Sequence, residues 1–310
     1  MNSISSVEIV EVSPRDGLQN ESQYVSTMHK LTLIARAINA GSRRIEVASF
    51  VNPRAVPQMA DAEKVCAGLP ENDEMTYIGL VMNHRGAERA LATGRINQLG
   101  VVAVATDTFA MANQGQTSNG SVEIAKEIIS LAHSKGITAQ ATIAASFGCP
   151  FEGEVMQERV VEMVSAIFEA GPVEIALADT IGVGNPAHVA SLINKIRDVL
   201  PSLPIRVHFH NTRGTGIANV WAAICAGAAT VDASIGGLGG CPFASGAAGN
   251  VATEDVTYML ERAGIQTGLD IDKLLAANEW LASLMDKPLA SMMAKAGSFP
   301  ASKQDIKEYF

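Results

Sequence analysis

Short runs of β-branched and apolar residues alternate along the chain with longer stretches that carry an apolar stripe every three or four positions. The short runs are Val7–Val12, Arg44–Ala48, Thr76–Leu80, Gln98–Ala105, Thr138–Ala144, Val173–Ala178, Ile205–Phe209 and Thr230–Ile235, and they begin 22 to 40 residues apart. Runs of that length and composition predict strands. The stripes cover 24–40, 84–93, 121–135, 154–170, 186–199, 213–227 and 252–264. Their period predicts amphipathic helices. Punctuation agrees: Asn185 before Pro186 suits a helix start, and Gly41 and Gly227 follow predicted helix ends. Eight strands alternating with helices point to an α/β fold, a (β/α)8 TIM barrel. A doubly wound open sheet is the competing arrangement. It would more naturally place a glycine-rich turn after the first strand, where this chain has SPRDGLQNE. A further helix pattern at 270–286 follows the eighth unit. No low-complexity linker interrupts the chain, so residues 1–310 read as one barrel domain, with 265–310 as a C-terminal helical extension.

Composition narrows the function. Hydrophobic residues make up 47% and charged residues 18%, which excludes a disordered chain. The 23 Lys and Arg against 32 Asp and Glu leave a net charge of -9 and no basic run, which argues against a nucleic-acid binder. A small anionic substrate is still compatible with a few local arginines or a metal. The first residues lack a secretory leader pattern, and no run reaches the ~18–20 apolar residues of a membrane span. Cys66, Cys149, Cys225 and Cys241 form no C-x-x-C pair. Reduced thiols in a cytoplasmic enzyme are the simple expectation.

In a barrel the C-terminal ends of all strands face one rim. Arg15, Asp16, Glu46, Asp107, Asp179, His208, His210 and Asn250 would all gather there. His208 and His210 are two apart on a strand, so both rings share a face. With the Asp16 carboxylate, the Asn250 amide oxygen and waters they suit an intermediate or hard divalent cation with octahedral preference, Mg2+ or Mn2+ first and Co2+ as a further choice. Glu46 lies inside a predicted buried strand, where a carboxylate needs a partner; Arg15 or a metal-bound water is the economical choice. Asp179 ends strand 6 before a glycine-rich turn, as a ligand holder or as the cap of that turn. Gly236–Asn250 holds six glycines in 15 residues, which suggests a lid over the barrel mouth with Cys241 in its middle.

Several segments resemble the hydroxymethylglutaryl-CoA lyases, a metal-dependent barrel group that makes or breaks carbon–carbon bonds. They are VEVSPRDGLQNE at 10–21, IEVASF at 45–50, VPQMAD at 56–61, GCPFEGE at 148–154, DTIGVGNP at 179–186, HFHNTRG at 208–214 and the stretch from Gly236 to Leu260. The resemblance implies metal positions at Asp16, His208, His210 and Asn250. It implies an enolate-stabilising role for Arg15, with Glu46 as its polar partner, and catalytic roles for Asp179, His208 and the lid residue Cys241. Substrate positions fall at Arg15, Gln140, Thr142, Thr180 and Arg213. The implied reaction is retro-aldol cleavage of a 3-hydroxyacyl-CoA, hydroxymethylglutaryl-CoA or a branched relative, without a redox cofactor. The expected partners are the acyl-CoA substrate and further copies of the chain in a homodimer or higher homo-oligomer, with no nucleic acid and no membrane. A condensing synthase or aldolase of the same group and a non-catalytic binding module are the alternatives.

The chain departs from that pattern in the acyl region. The typical lyase has an arginine, then a tyrosine two residues later, on strand 5; this chain has Gln140 and Thr142. Ala144 and Ala145 replace the Ser-Cys that usually follows, and Arg213 stands where a tyrosine is usual. Loss of a guanidinium removes a full charge and a bidentate fork for carboxylate. The expectation is an acyl group that is larger, or that lacks the distal carboxylate.

Overall fold

The computed structural model describes residues 4–241, 244–297 and 299, with the backbone alone at 241 and 244–248. Eight parallel strands close into a barrel in sequence order. They are β1 (Glu8–Glu11), β2 (Arg44–Ser49), β3 (Thr76–Val81), β4 (Gln98–Val104), β5 (Thr138–Ala144), β6 (Ile175–Asp179), β7 (Ile205–Phe209) and β8 (Thr230–Ala233). β8 returns to β1, with Val10 opposite Asp232, so the barrel itself has no open edge. The competing open sheet is thereby excluded.

The surrounding helices are α1 (Thr27–Asn39), α2 (Ala62–Ala67), α3 (His84–Ala92), α4 (Asp107–Gln114), α5 (Ser118–Ser134), α6 (Gln157–Phe168), α7 (Pro186–Val199), α8 (Gly216–Cys225) and α9 (Thr253–Arg262). Short polar side chains start several of them. The side chains of Ser26, Asn83, Thr117 and Asn185 accept the backbone N–H groups of His29, Gly86, Gly120 and His188. Each such cap stabilises its helix by about 1 kcal/mol. α2 and α4 escape the sequence pattern because helices of six and eight residues give periodicity too few turns to register. The 270–286 pattern becomes α10 (Ile271–Met285), which buries Leu274, Ala277, Leu281 and Met285 while packing beside α1 and α9; the short α11 (Met292–Ala296) follows. The glycine-rich segment after β8 contributes a two-stranded antiparallel ribbon, β9 (Gly240–Cys241) with β10 (Ala244–Ala248).

Strand alternation separates two cores. Odd-numbered strand residues such as Ile9, Ile45, Val47, Leu99, Val101, Ile143, Leu177 and Val207 join the helices in one large apolar cluster. Burying each such side chain stabilises the fold by roughly 1.5–3 kcal/mol. Even-numbered residues face the barrel interior. There Val10, Val12 and Ile78 form a small apolar cluster of their own, and below the mouth a run of charged side chains crosses the interior. Arg44 reaches Glu8 at 2.6 Å and Glu174 at 2.5 Å. Glu174 lies 3.4 Å from Arg206, which reaches Asp232 at 2.5 Å. Gly100 makes this interior possible, since a Cβ there would sit 2.7 Å from the Gln140 side-chain nitrogen.

One buried carboxyl outside the barrel sets a pH dependence. Glu254, near the start of α9, accepts hydrogen bonds from the Gly236 N–H at 2.9 Å and the Asn278 amide at 3.1 Å. Burial, with the neighbouring Glu11 carboxylate adding to it, pushes its pKa up to about 8. The folded carboxyl therefore holds its proton while the unfolded one, near 4.5, has released it. The stability this group contributes is complete below the unfolded value and is lost as pH rises through about 8, at up to roughly 1.4 kcal/mol per pH unit. Glu254→Gln should flatten that slope. Urea midpoints for the parent and the variant between pH 5 and 8 should diverge in favour of the variant as pH rises; parallel curves would rule the assignment out.

Candidate active site

The turn after β1 carries Arg15 and Asp16 across the C-terminal mouth of the barrel, where they face the ends of β2, β7 and β8. Arg15 donates through Nε to Glu46 and through Nη1 to Asp16, the latter at 2.6 Å. Burial works against the arginine's charge, but Glu46 and Asp16 outweigh it and raise its pKa. Burial likewise opposes the charge of Asp16. Arg15 and the two histidines prevail and hold that carboxyl well below the usual carboxylate range.

His208 and His210 project from the end of β7, as period two requires. Their Nε2 atoms lie 3.9 and 3.8 Å from the same Asp16 oxygen, Oδ2. One donor atom from each of Asp16, His208 and His210 lies within 4.8 Å of the others. Among the described residues no other three His, Cys, Asp or Glu side chains meet this way. One carboxylate oxygen and two imidazole nitrogens, with the carboxylate held anionic, fit a divalent cation. Asn250 touches the same carboxylate: its Nδ2 donates to Asp16 Oδ2 at 2.8 Å and to the Leu238 carbonyl at 3.1 Å. Gly239 clears the space for that amide, since a Cβ there would stand 2.7 Å from Asn250 Nδ2. To serve as a ligand, Asn250 would turn its amide oxygen toward the cation.

A cavity of about 220 Å3 opens beside this cluster, bordered by Arg15, Asp16, His208, His210 and Asp232. The rest of its lining carries Leu80, Met82, Val102, Phe109, Ala144 and Ala178, with Gln19, Asn20, Asn113, Thr142 and Thr180 as polar points. Thr180 Oγ1 accepts the N–H of Ala145, a non-glycine residue held at φ 58°.

The other residues expected at the site stand further back. Gln140 is fully buried one layer below Thr142, whose hydroxyl donates to it at 3.4 Å, and it does not border the cavity. Asp179 accepts the N–H groups of Val183 and Gly184, each at 2.9 Å, so it caps the turn after β6. Arg213 donates to the carbonyls of Ile181 and Gly182 at 2.7 and 3.1 Å, bracing that turn from the β7 side. Asp107 accepts the Ser118 N–H at the start of α5. The Cys241 side chain lies outside the described residues.

Sequence reading passed over Asp232. It sits on β8 with Oδ2 at 3.1 Å from His208 Nδ1 and Oδ1 at 2.5 Å from Arg206 Nε. Burial opposes its charge, but Arg206 and His208 overcome this and lower its pKa. The signal was present: a carboxylate inside a buried strand requires a partner, and the alternation of β8 turns Asp232 inward with Thr230.

The whole of residues 6–281 matches the HMGL-like family model. The hydroxymethylglutaryl-CoA lyase YngG of Bacillus subtilis is 42% identical over 285 residues, 92% of this chain and 95% of that protein. The (R)-citramalyl-CoA lyase of Chloroflexus aurantiacus is 40% identical over 305 residues, 95% of this chain and 96% of that one. A solved structure of an HMG-CoA lyase from Acinetobacter baumannii, in complex with coenzyme A and 3-methylmalate, superposes with a TM-score of 0.91 at 39% identity, covering 97% of this chain and 99% of its own.

The donor cluster makes a direct prediction. Asp16→Asn and His210→Ala should each weaken Mn2+ binding to the purified protein by more than about 100-fold, read by titration calorimetry; loss of a direct ligand should exceed the 10- to 100-fold typical of its outer partners. Unchanged affinity in both variants would remove the metal assignment.

Proposed function

The chain belongs to the HMGL-like family; it is a divalent-metal-dependent carbon–carbon lyase that cleaves an acyl-CoA by a retro-aldol reaction, and we propose that its substrate is a 3-hydroxyacyl-CoA whose acyl group lacks the distal glutaryl carboxylate. The cavity wall carries the proposal. Beyond the donor cluster that wall is uncharged, apolar apart from Gln19, Asn20, Asn113, Thr142 and Thr180, and among the described residues Arg15, whose Nε and Nη1 already serve Glu46 and Asp16, is the one lysine or arginine bordering the cavity. A distal carboxylate would meet neutral amide and hydroxyl groups there but no second cationic side chain among the described residues, and burying a charge without an ionic partner is expensive. Hydroxymethylglutaryl-CoA is the second reading, favoured by the activity for which the Bacillus subtilis relative is named.

Asp16, His208, His210 and Asn250 are the proposed metal-holding set, with Mg2+ or Mn2+ as the cation. When bound, the cation would supply Lewis-acid polarisation of the substrate's 3-hydroxyl and orient the bond to be broken. The chain's own groups supply the rest of the chemistry. A base at the cavity takes the hydroxyl proton, and the C3 carbonyl forms as the C2–C3 bond breaks. The electron pair moves into the thioester and develops as an enolate. Arg15 stands beside the cavity with its charge secured by two carboxylates, so it can stabilise that oxygen without reorganising. Glu46 holds Arg15 in place, and Thr142 and Thr180 orient the acyl group. Asp179 and Arg213 act through the turn that carries Thr180. Delivery of a proton to C2, from Cys241 or an ordered water, completes an acyl-CoA such as acetyl-CoA, with a carbonyl compound as the second product.

We also propose a cytoplasmic location and a homo-oligomer. The unpaired thiols of Cys66, Cys149 and Cys225 suit a reducing compartment. The apolar surface left exposed by Trp221, Met292 and Phe299 suits association.

The deciding experiment gives metal-loaded and metal-stripped enzyme a panel of 3-hydroxyacyl-CoAs that includes hydroxymethylglutaryl-CoA and citramalyl-CoA, with products read by mass spectrometry. Metal-dependent cleavage fastest on a member without the glutaryl carboxylate is expected; fastest release of acetoacetate from hydroxymethylglutaryl-CoA would select the second reading. Arg15→Met should lower kcat by about 10²- to 10³-fold, the loss typical of one charge-stabilising donor. Turnover equal to the parent's would exclude Arg15 from enolate stabilisation.

A further inference from the structure

We propose that Asp232 is a positioning residue for the metal centre: through Nδ1 it fixes the His208 ring in the tautomer that presents the Nε2 lone pair to the cation. The inference rests on the reading of Asp16, His208 and His210 as ligands.

The placement is built into the sheet. His208 on β7 and Asp232 on β8 are register partners, so the ladder itself sets their side chains side by side. Asp232 Oδ2 lies 3.1 Å from His208 Nδ1, while His208 Nε2, on the far side of the ring, points to Asp16. A neutral imidazole carries one proton on either nitrogen. A carboxylate at Nδ1 demands the proton there and leaves Nε2 as a lone pair.

Arg206 makes the arrangement unambiguous. It lies two residues before His208 on β7, is 1% exposed, and donates through Nε to Asp232 Oδ1. Each Asp232 oxygen therefore has a separate partner, the guanidinium on one side and the imidazole on the other. The carboxylate cannot turn away from either without stranding a buried group. Arg206 is itself held by Glu174, Glu174 by Arg44, and Arg44 by Glu8 at the opposite mouth of the barrel. The ladder of alternating charges ends at the histidine.

This bonding pattern fixes what an amide would do at position 232. In Asp232→Asn the single side-chain oxygen would go to the charged Arg206 donor. The NH2 group would then face His208 Nδ1 and require that nitrogen to accept. The proton would move to Nε2, the atom that must face the cation. A nearly isosteric change would thus disable a metal ligand by acting on the ring nitrogen that faces away from the cation.

The test is Mn2+ titration of the metal-stripped parent, Asp232→Asn and Asp16→Asn, with circular dichroism to confirm folding. Long-range 1H–15N spectra of the metal-free proteins, taken at a pH where the ring is neutral, read the tautomer directly. The expected results are Nδ1–H for His208 in the parent, Nε2–H in Asp232→Asn, and about 10- to 100-fold weaker Mn2+ binding in that variant. Parent-like affinity and tautomer in folded Asp232→Asn, with affinity lost in Asp16→Asn, would overturn the proposal and leave the ligand set standing. Failure of the parent to bind Mn2+ would overturn both. Should Asp232→Asn fail to fold, the parent spectrum still decides: a neutral His208 carrying its proton on Nε2 refutes the proposal.

Discussion

A charge inside a closed barrel is tolerable only beside its opposite, and the interior of this one depends on that rule. Removing a carboxylate or guanidinium from water costs several kcal/mol, which only close, well-bonded pairing offsets. Glu8, Arg44, Glu174, Arg206 and Asp232 meet the rule by alternating in sign from one mouth of the barrel to the other. Discharging an inner member weakens two pairings at once, since Arg44, Glu174 and Arg206 each serve two opposite charges. The mouth follows the same logic, with Arg15 between Glu46 and Asp16. The result is a site whose charges are set before any ligand arrives, the preorganisation that lets a fixed dipole or ion act on developing charge without rearrangement.

The centre of the site also divides labour by depth. At the surface of the cavity stand polar groups that can touch a ligand: Arg15, Asp16, the two histidines, Thr142 and Thr180, with the amides of Gln19, Asn20 and Asn113. Other groups hold those in place, among them Asp232, which itself borders the cavity. Glu46 braces Arg15, Asp232 meets His208, and Asp179 and Arg213 secure the turn that carries Thr180. Acyl selectivity then falls to the remaining wall. That wall mixes aliphatic and aromatic side chains with the neutral amides of Gln19, Asn20 and Asn113, and a carboxylate buried there has no ionic partner among the described residues beyond Arg15.

Much of the fold was legible because its determinants are local. Every strand run and every helical stripe became an element, with ends shifted by a few residues where caps or glycines, rather than apolar period, decide the boundary. Asn185 with Pro186 starts α7 as expected, and Gly41 and Gly227 take φ values of 104° and 102° past their helices. The short helices α2 and α4 were not legible, since six or eight residues hardly establish a period. The metal cluster was legible for a geometric reason: two histidines two apart on a strand must share a face, and parallel strands in a barrel deliver their ends to one rim.

What lay beyond the sequence was the pairing across the barrel. A period of two says that alternate residues share a face, but it does not say which set turns inward, nor which strand's charge lies opposite which. Those choices are made when β8 closes on β1 and sets the register of β7 with β8. Closure brings Asp232 to His208 and Arg206 to Glu174, pairs separated by 24 and 32 residues, and it leaves Gln140 a layer below the cavity that Thr142 borders. Along the chain alone, Asp232 and Arg206 were charges in apolar strands without visible partners, and Gln140 was a candidate for the substrate surface. The chain by itself determined the elements, their order and the residues able to hold a cation, because those follow from local stereochemistry and side-chain type. Only the tertiary structure decided which groups face the ligand and which stand behind, because burial and hydrogen-bond geometry are properties of the closed barrel.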